Sequence, residues 1–317
     1  MRWWETAYFA VRHRIVWALN AAGAAHDAVL RRGGLRATPP HLLTVCAVMK
    51  NEGRYLAEWL AFHRAAGVDH FLIYDNASTD DTAAVAAAFE AAFPGTVTLV
   101  PWPRRPAQRT AYEDSYRRLR RMSRWVAHID ADEYLFGVDE DLKAILRDFD
   151  GAGAVCAHWL IYGSSGHVAA PEGTCIEAFT RRAPASTKTN QQYKAIARAS
   201  KIRGFWSAHR PWVAGRTVDE AGQDVDPGKP GRTAAIRHAR LRINHYMVKS
   251  RAEWAIKLRR GNPYEDDNPA RFREDSFFDQ YDRNEEEDPA ALRFLPQVKA
   301  ALAALATSQA PGAARGS

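Results

Sequence analysis

An α/β fold with a mostly parallel central sheet flanked by helices is what the sequence predicts, on three observations. Short apolar runs alternate with helix-length segments between Leu42 and Ile129. The leading run is continuous rather than alternating apolar and polar, as a strand covered on both faces requires. Polar residues cluster where the runs end, and in such sheets ligands bind beyond the carboxyl ends of the strands.

Taken in order, Leu42 to Met49 is the first strand. Asn51 to Ala66 places Tyr55, Leu56, Trp59, Leu60 and His63 at helical spacing, and Gly67 is a natural stop. Phe71 to Tyr74 is the second strand. Ser78-Thr79-Asp80-Asp81 resembles a capping box, with Asp in place of Glu, ahead of an Ala-rich helix ending near Pro94-Gly95. Thr96 to Val100 is a third strand, Gln108 to Met122 a helix, and Trp125 to Ile129 a fourth strand.

The second half is less regular. Ala154 to Tyr162 reads as a strand, followed by the loop Gly163-Ser164-Ser165-Gly166-His167, and Cys175 to Thr180 as another strand. Basic and loop-forming residues dominate from Arg181 to Arg240, with Ala214 to Arg232 expected to be a mobile excursion. Leu241 to Tyr246 reads as a strand. Ser250 to Arg260 is a helix with Ser250 and Glu253 in capping-box positions and Gly261 as its stop.

A chain of 317 residues, 46% hydrophobic, can bury one large core or two small ones. Three cysteines in no metal-binding spacing are expected as buried free thiols in a reducing compartment. No apolar stretch approaches the roughly 18 residues that cross a bilayer. Trp3, Trp4, Phe9, Ile15, Val16 and Trp17 are interrupted by Arg2, Arg12, His13 and Arg14. That pattern suits a helix that either lies on an anionic membrane or packs on the body, and it disfavours a secretory signal. The expected organisation is a basic, aromatic helical segment at 1–40, one domain at 41–306 and a disordered tail at 307–317. The expected location is the cytoplasm, with peripheral contact to the inner membrane face.

The net charge of +7 suits an anionic ligand without choosing one. The choice comes from the strand ends. Asn51-Glu52 follows strand one, Asp75-Asn76 strand two and Asp130-Ala131-Asp132-Glu133 strand four, so clusters far apart in sequence are predicted on one rim. Alternating carboxylates at a strand end can hold a hard divalent cation, with substrate phosphates completing its coordination. Asp132 is the expected direct ligand and Asp130 a second, directly or through water or ribose. Glu133 either joins them or faces solvent. Asp75 is placed to accept from a nucleotide base or ribose, or to serve as a turn residue. Asn51 and Glu52 share that ambiguity, since Asn51 is also a good N-cap.

These stretches resemble family 2-like and family 92-like glycosyltransferases with a GT-A fold. The resemblance rests on Asn51-Glu52 with Tyr55 to Trp59, Gly67 to His70, Tyr74 to Asp80, Trp125 to Leu135, Gly163 to His167, Asn244-His245-Tyr246 with Lys249-Ser250, and Lys257 to Gly261. It covers about Leu42 to Leu302. It implies a nucleotide-binding half at 41–135 and an acceptor half at 136–306. It also implies transfer of a sugar from a UDP- or GDP-linked donor, with Mn²⁺ or Mg²⁺ and inversion at the anomeric carbon, to a glycan or lipid-linked acceptor.

On that resemblance His245 reaches the metal or the diphosphate, and Lys249 addresses a phosphate. Inverting transfer needs a base for the acceptor hydroxyl. Glu177, in an apolar run where burial would raise its pKa, is preferred over Asp275 and Glu253. Gly163, Ser164, Ser165 and His167 form the expected acceptor loop. Trp159, Trp206 and Trp212 either stack on sugars or fill the core. Lys194, Arg198, Lys201, Arg203 and His209 either meet an anionic acceptor or form a solvated face. The competing readings are a basic adaptor for membrane or nucleic acid and a nucleotidyltransferase. The first lacks any nucleic-acid-binding signature, so no nucleic acid partner is expected. The second lacks a glycine-rich triphosphate loop after strand one.

Overall fold

The computed structural model describes residues 38–225, 231–260 and 275–309, with isolated positions at 22, 25 and 29. The expected N-terminal segment therefore lies almost wholly outside the described residues, as does Gly261. Among the described residues no helix is long and apolar enough to cross a membrane.

The first half alternates as expected: β1 (His41–Met49), α1 (Gly53–Ala65), β2 (His70–Asp75), α2 (Thr82–Ala92), β3 (Val97–Pro101), α3 (Ala107–Met122) and β4 (Ser123–His128). Then come β5 (Glu133–Gly137), α4 (Leu142–Asp148), β6 (Ala154–Ile161), α5 (Cys175–Ala178) and β7 (Arg181–Arg182). They are followed by β8 (Tyr193–Arg198), β9 (Ile202–Ser207), β10 (Arg210–Val213), β11 (Thr217–Val218) and β12 (Leu241–His245). The chain closes with α6 (Arg251–Arg260), α7 (Asp275–Tyr281), β13 (Glu286–Glu287) and α8 (Leu295–Gln309).

The main sheet runs β3-β2-β1-β4-β8-β6-β12-β5, with β11 beside β6. Its first four strands are parallel. The antiparallel β8 joins β4 to β6, and β12 is parallel to β6 but antiparallel to β5. This mixed α/β architecture agrees with the GT-A expectation. Alternate residues of β1 serve opposite faces. Leu43, Val45, Ala47 and Met49 join a core with Trp59 of α1, Phe89 of α2 and Val298 of α8. Cys46 and Val48 join a second core with Tyr112, Tyr116 and Leu119 of α3. Each such large side chain contributes about 1.5–3 kcal/mol by leaving water. All three cysteines are buried free thiols.

Two contacts from α1 seat β5, and with it the acidic run. Trp59 Nε1 donates to the Glu133 carbonyl at 2.9 Å. His63 uses Nδ1 toward the Trp59 carbonyl at 2.8 Å and accepts from the Leu135 N–H through Nε2 at 3.0 Å. Burial holds this imidazole neutral by pushing its pKa down to about 3.

Three expectations in the second half fail. Cys175–Ala178 is a turn of helix, not a strand, because the buried Glu58 carboxylate accepts from the Cys175 and Ile176 N–H groups at 2.6 and 3.1 Å. The stretch Ala214 to Val225 is packed rather than loose: β11 pairs with β6, and Glu220 accepts from the N–H groups of Ala239, Arg240 and Leu241. The C-terminal helix continues through Gln309, beyond the expected start of the tail.

Candidate active site

The parallel register brings the first polar clusters together. Met49 pairs with Asp75 across β1 and β2. Asn51 adopts φ +53°, its N–H donates to Ser78 Oγ at 2.9 Å, and its Oδ1 accepts from the Thr79 N–H at 2.7 Å. It stitches two strand-end loops together and is not an N-cap. The Glu52 N–H donates to Thr82 Oγ1 at 2.8 Å, and Asp75 Oδ1 accepts from the Ser78 N–H at 3.2 Å. Gly53 is needed where these loops meet, since a Cβ there would overlap the Asp81 carboxylate.

The acids after β4 each find a lysine. Asp130 accepts from Gln108 Nε2 at 2.9 Å and Lys194 Nζ at 2.8 Å. Burial raises the Asp130 carboxyl pKa, but the charge and hydrogen bond of Lys194 together with His209 outweigh it and the net shift is downward. Glu133 is wholly buried rather than facing solvent. Its Oε2 accepts from the Asp130 N–H at 2.8 Å and lies 3.3 Å from Lys194 Nζ. Burial, with Asp130 and Asp132 nearby, pushes it up to about 8 despite Lys194. Lys194 itself is fully buried, so it belongs to no solvated face.

Asp132 turns the other way. Its Oδ2 accepts from Lys257 Nζ, and its Oδ1 lies 3.6 Å from His245 Nε2. Burial acts to raise its pKa, but Lys257 and His245 hold it well below the usual carboxylate range. The His245 ring packs 4.2 Å from Trp159, which is therefore core, and burial lowers its pKa so that the imidazole is neutral. Its Nδ1 is buried with no hydrogen-bond partner among the described residues.

Asp132 and Lys257 open onto a cleft of about 310 Å³ shared with Asn51, Glu52, Arg54, Tyr55, Lys249 and Glu253. Lys249, at φ +52°, holds its ammonium 3.8 Å above the Tyr55 ring. Tyr55 donates to Glu253 Oε1 at 2.6 Å, while Glu253 Oε2 accepts from Ser250 Oγ at 2.6 Å in the expected capping box. Asp75 and Asp130 are not on the wall of this cleft.

Among the described residues, no group of three or more His, Cys, Asp or Glu side chains is set to hold a metal. The Asp132–His245 pair nevertheless fits a divalent cation that takes its other ligands from substrate phosphates, an oxygen and a neutral imidazole being donors that Mn²⁺ accepts. Asp130 does not join them here, because Gln108 and Lys194 take its oxygens.

A family model for glycosyltransferase family 92 matches residues 41–275. The chain belongs to this family. A family 92 protein of Ricinus communis is 35% identical over 102 residues, 32% of this chain and 18% of that protein. One of Oryza sativa subsp. japonica is 29% identical over 168 residues, 51% of this chain and 28% of that protein. The chain thus aligns with under a third of each relative. Among solved structures, S. aureus TarS 1-349 overlays at 16% identity and a TM-score of 0.34, covering 50% of this chain and 47% of that one. Glucosyl-3-phosphoglycerate synthase from Mycobacterium tuberculosis, in complex with Mn²⁺ and UDP, overlays at 20% identity and a TM-score of 0.25, covering 38% and 44%. Overlays this partial say nothing of substrate.

The family 92 chain departs from expectation on its acceptor side. Glu177 is a third exposed and paired with Lys299 Nζ and Thr174 Oγ1. Those bonds lower its pKa where burial was expected to raise it. It lines a separate groove with His167. The Gly163–His167 loop is locked to the chain itself: the Ser164 N–H donates to Asp282 and the Ser165 N–H to Asn284, at 2.6 and 2.7 Å. A Cβ at Gly163 would strike Arg283, so the glycine admits backbone rather than ligand. Asp275 begins α7. Sequence reasoning gave Gln108 and Lys257 no role, and read Lys194 as an acceptor contact or a solvated lysine rather than as the buried partner of Asp130 and Glu133. One signal was available: Ser250, Glu253 and Lys257 fall on one helical face.

Proposed function

We propose that this chain transfers a sugar from a nucleotide-diphosphate donor to a hydroxyl of a glycan or lipid-linked acceptor, with inversion and with Mn²⁺. The observation that supports this most is that Asp132, Lys249 and Lys257 line one cleft, with the buried His245 Nε2 3.6 Å from Asp132 Oδ1. Ionised Asp132 and neutral His245 would hold the cation, which when bound stabilises charge on the leaving diphosphate as a Lewis acid. Lys249 and Lys257, lining the same cleft, would bind the same diphosphate as point charges. The acceptor oxygen attacks the anomeric carbon as the carbon–phosphate-oxygen bond breaks, and the acceptor proton must go to a carboxylate. Glu253, in the same cleft as Asp132, replaces Glu177 in that role.

Purified protein is expected to hydrolyse or transfer from UDP- or GDP-sugars only with Mn²⁺, and Asp132→Asn should lower turnover by about 10²–10³-fold. Turnover that persists in Asp132→Asn would remove the assignment.

A further inference from the structure

Lys257 stands where the cation would have to act. Its ammonium donates to Asp132 Oδ2 and, at 2.7 Å, to the Met247 carbonyl, while His245 faces the other Asp132 oxygen. A divalent cation on Asp132 Oδ1 beside His245 and an ammonium on Oδ2 of the same carboxylate repel at close range, so the cation weakens the Lys257–Asp132 pair. A displaced Lys257 side chain enters a cleft lined by Lys249 and Arg54 and by the single carboxylates Glu52, Asp80 and Glu253. A diphosphate bound there, more highly charged than any one of these carboxylates, is the stronger partner for it.

We propose that Lys257 is a positioning residue that exchanges Asp132 for the donor diphosphate, and that this exchange couples metal binding to nucleotide binding. Metal alone binds weakly because it works against the Lys257–Asp132 pair. Metal with diphosphate binds well because Lys257 gains a new partner. The coupling is reciprocal, so metal must tighten nucleotide binding by the same factor. This rests on the donor-site reading above.

Titration calorimetry of Mn²⁺ with and without saturating UDP, and separately GDP, tests it on the full chain. In the wild type one of these nucleotides should tighten Mn²⁺ by about 10–100-fold. Lys257→Met should bind Mn²⁺ alone about tenfold more tightly and lose at least about fivefold of the coupling. Lys257→Arg should retain the coupling. Melting curves verify folding, and Lys257→Gln substitutes if Lys257→Met does not fold. Wild-type coupling that survives unchanged in Lys257→Met overturns the exchange while leaving the donor site standing. Failure of the wild type to bind Mn²⁺ with either nucleotide overturns the donor site, and the exchange with it.

Discussion

Two lysine–aspartate pairs sit within one short acidic run, and they differ in what surrounds them. Lys194, the second residue of β8, is fully buried and answers both Asp130 and Glu133. Lys257 projects from α6 to Asp132 at the edge of a cleft, with both side chains about 15% exposed. The first pair is enclosed, with Lys194 held between two carboxyl groups. The second borders open space and a neutral imidazole. The same charge chemistry therefore serves as a fixed structural tie in one place and an exchangeable contact in the other, and the local packing decides which.

Removing each lysine sharpens that contrast, and Lys194 should give the larger effect. Lys194→Met leaves the ionised Asp130 beside the Glu133 carboxyl without its counter-charge. Breaking a buried pair by removing one partner costs about 3–5 kcal/mol, which urea denaturation should register as a large loss of midpoint. Lys257→Met should shift the midpoint far less, because Asp132 keeps His245 and reaches solvent. Equal losses in the two variants would erase the distinction.

The pH dependence separates the pairs more finely. Glu133 has its folded-state pKa raised to about 8, so the folded chain holds this proton more tightly than the unfolded one. Its contribution is fully present below the unfolded value and is lost as pH rises toward about 8. Asp130 and Asp132 run oppositely: their depressed values stabilise above the ordinary carboxylate range, and that gain disappears as pH falls through it. The buried histidines His63 and His128 and the half-buried His209, each pushed down to about 3, also lose stability in acid. Comparison of wild type with Glu133→Gln therefore isolates one group. The variant should lack the part of the melting-temperature decline that the wild type shows between about pH 5 and pH 8.

The unequal legibility of the halves has the same physical origin. The strands β1, β2 and β4 could be read because both their faces pack on apolar neighbours, leaving apolar runs whose ends are plain. Strand β8 could not be read: Tyr193-Lys194-Ala195-Ile196-Ala197-Arg198 buries a charge whose partner lies 64 residues away. Local pattern carries no trace of that compensation. Asp132 was legible as a carboxylate at a strand end. Its lysine, 125 residues on, was visible only as one face of a capped helix. Glu177 misled for the converse reason. An apolar run suggested burial, but Glu58 capped the segment into a helix that points this carboxylate outward to Lys299.

That last misreading supplies the smallest expected effect. Glu177 is a surface ion-pair partner of Lys299, and pairs of that kind contribute about 0–1 kcal/mol. It lines a groove that contains none of the Asp132 cleft residues. Glu177→Gln should thus leave Mn²⁺ affinity and sugar transfer within about twofold of wild type and lower stability by at most about 1 kcal/mol. Glu253→Gln, by contrast, removes a carboxylate oxygen from the cleft itself and should depress turnover more than donor binding. A transfer rate that collapses in Glu177→Gln but survives in Glu253→Gln would move the acceptor to the His167 groove, and the separation of the two grooves would have to be bridged by a rearrangement of the Gly163–His167 loop.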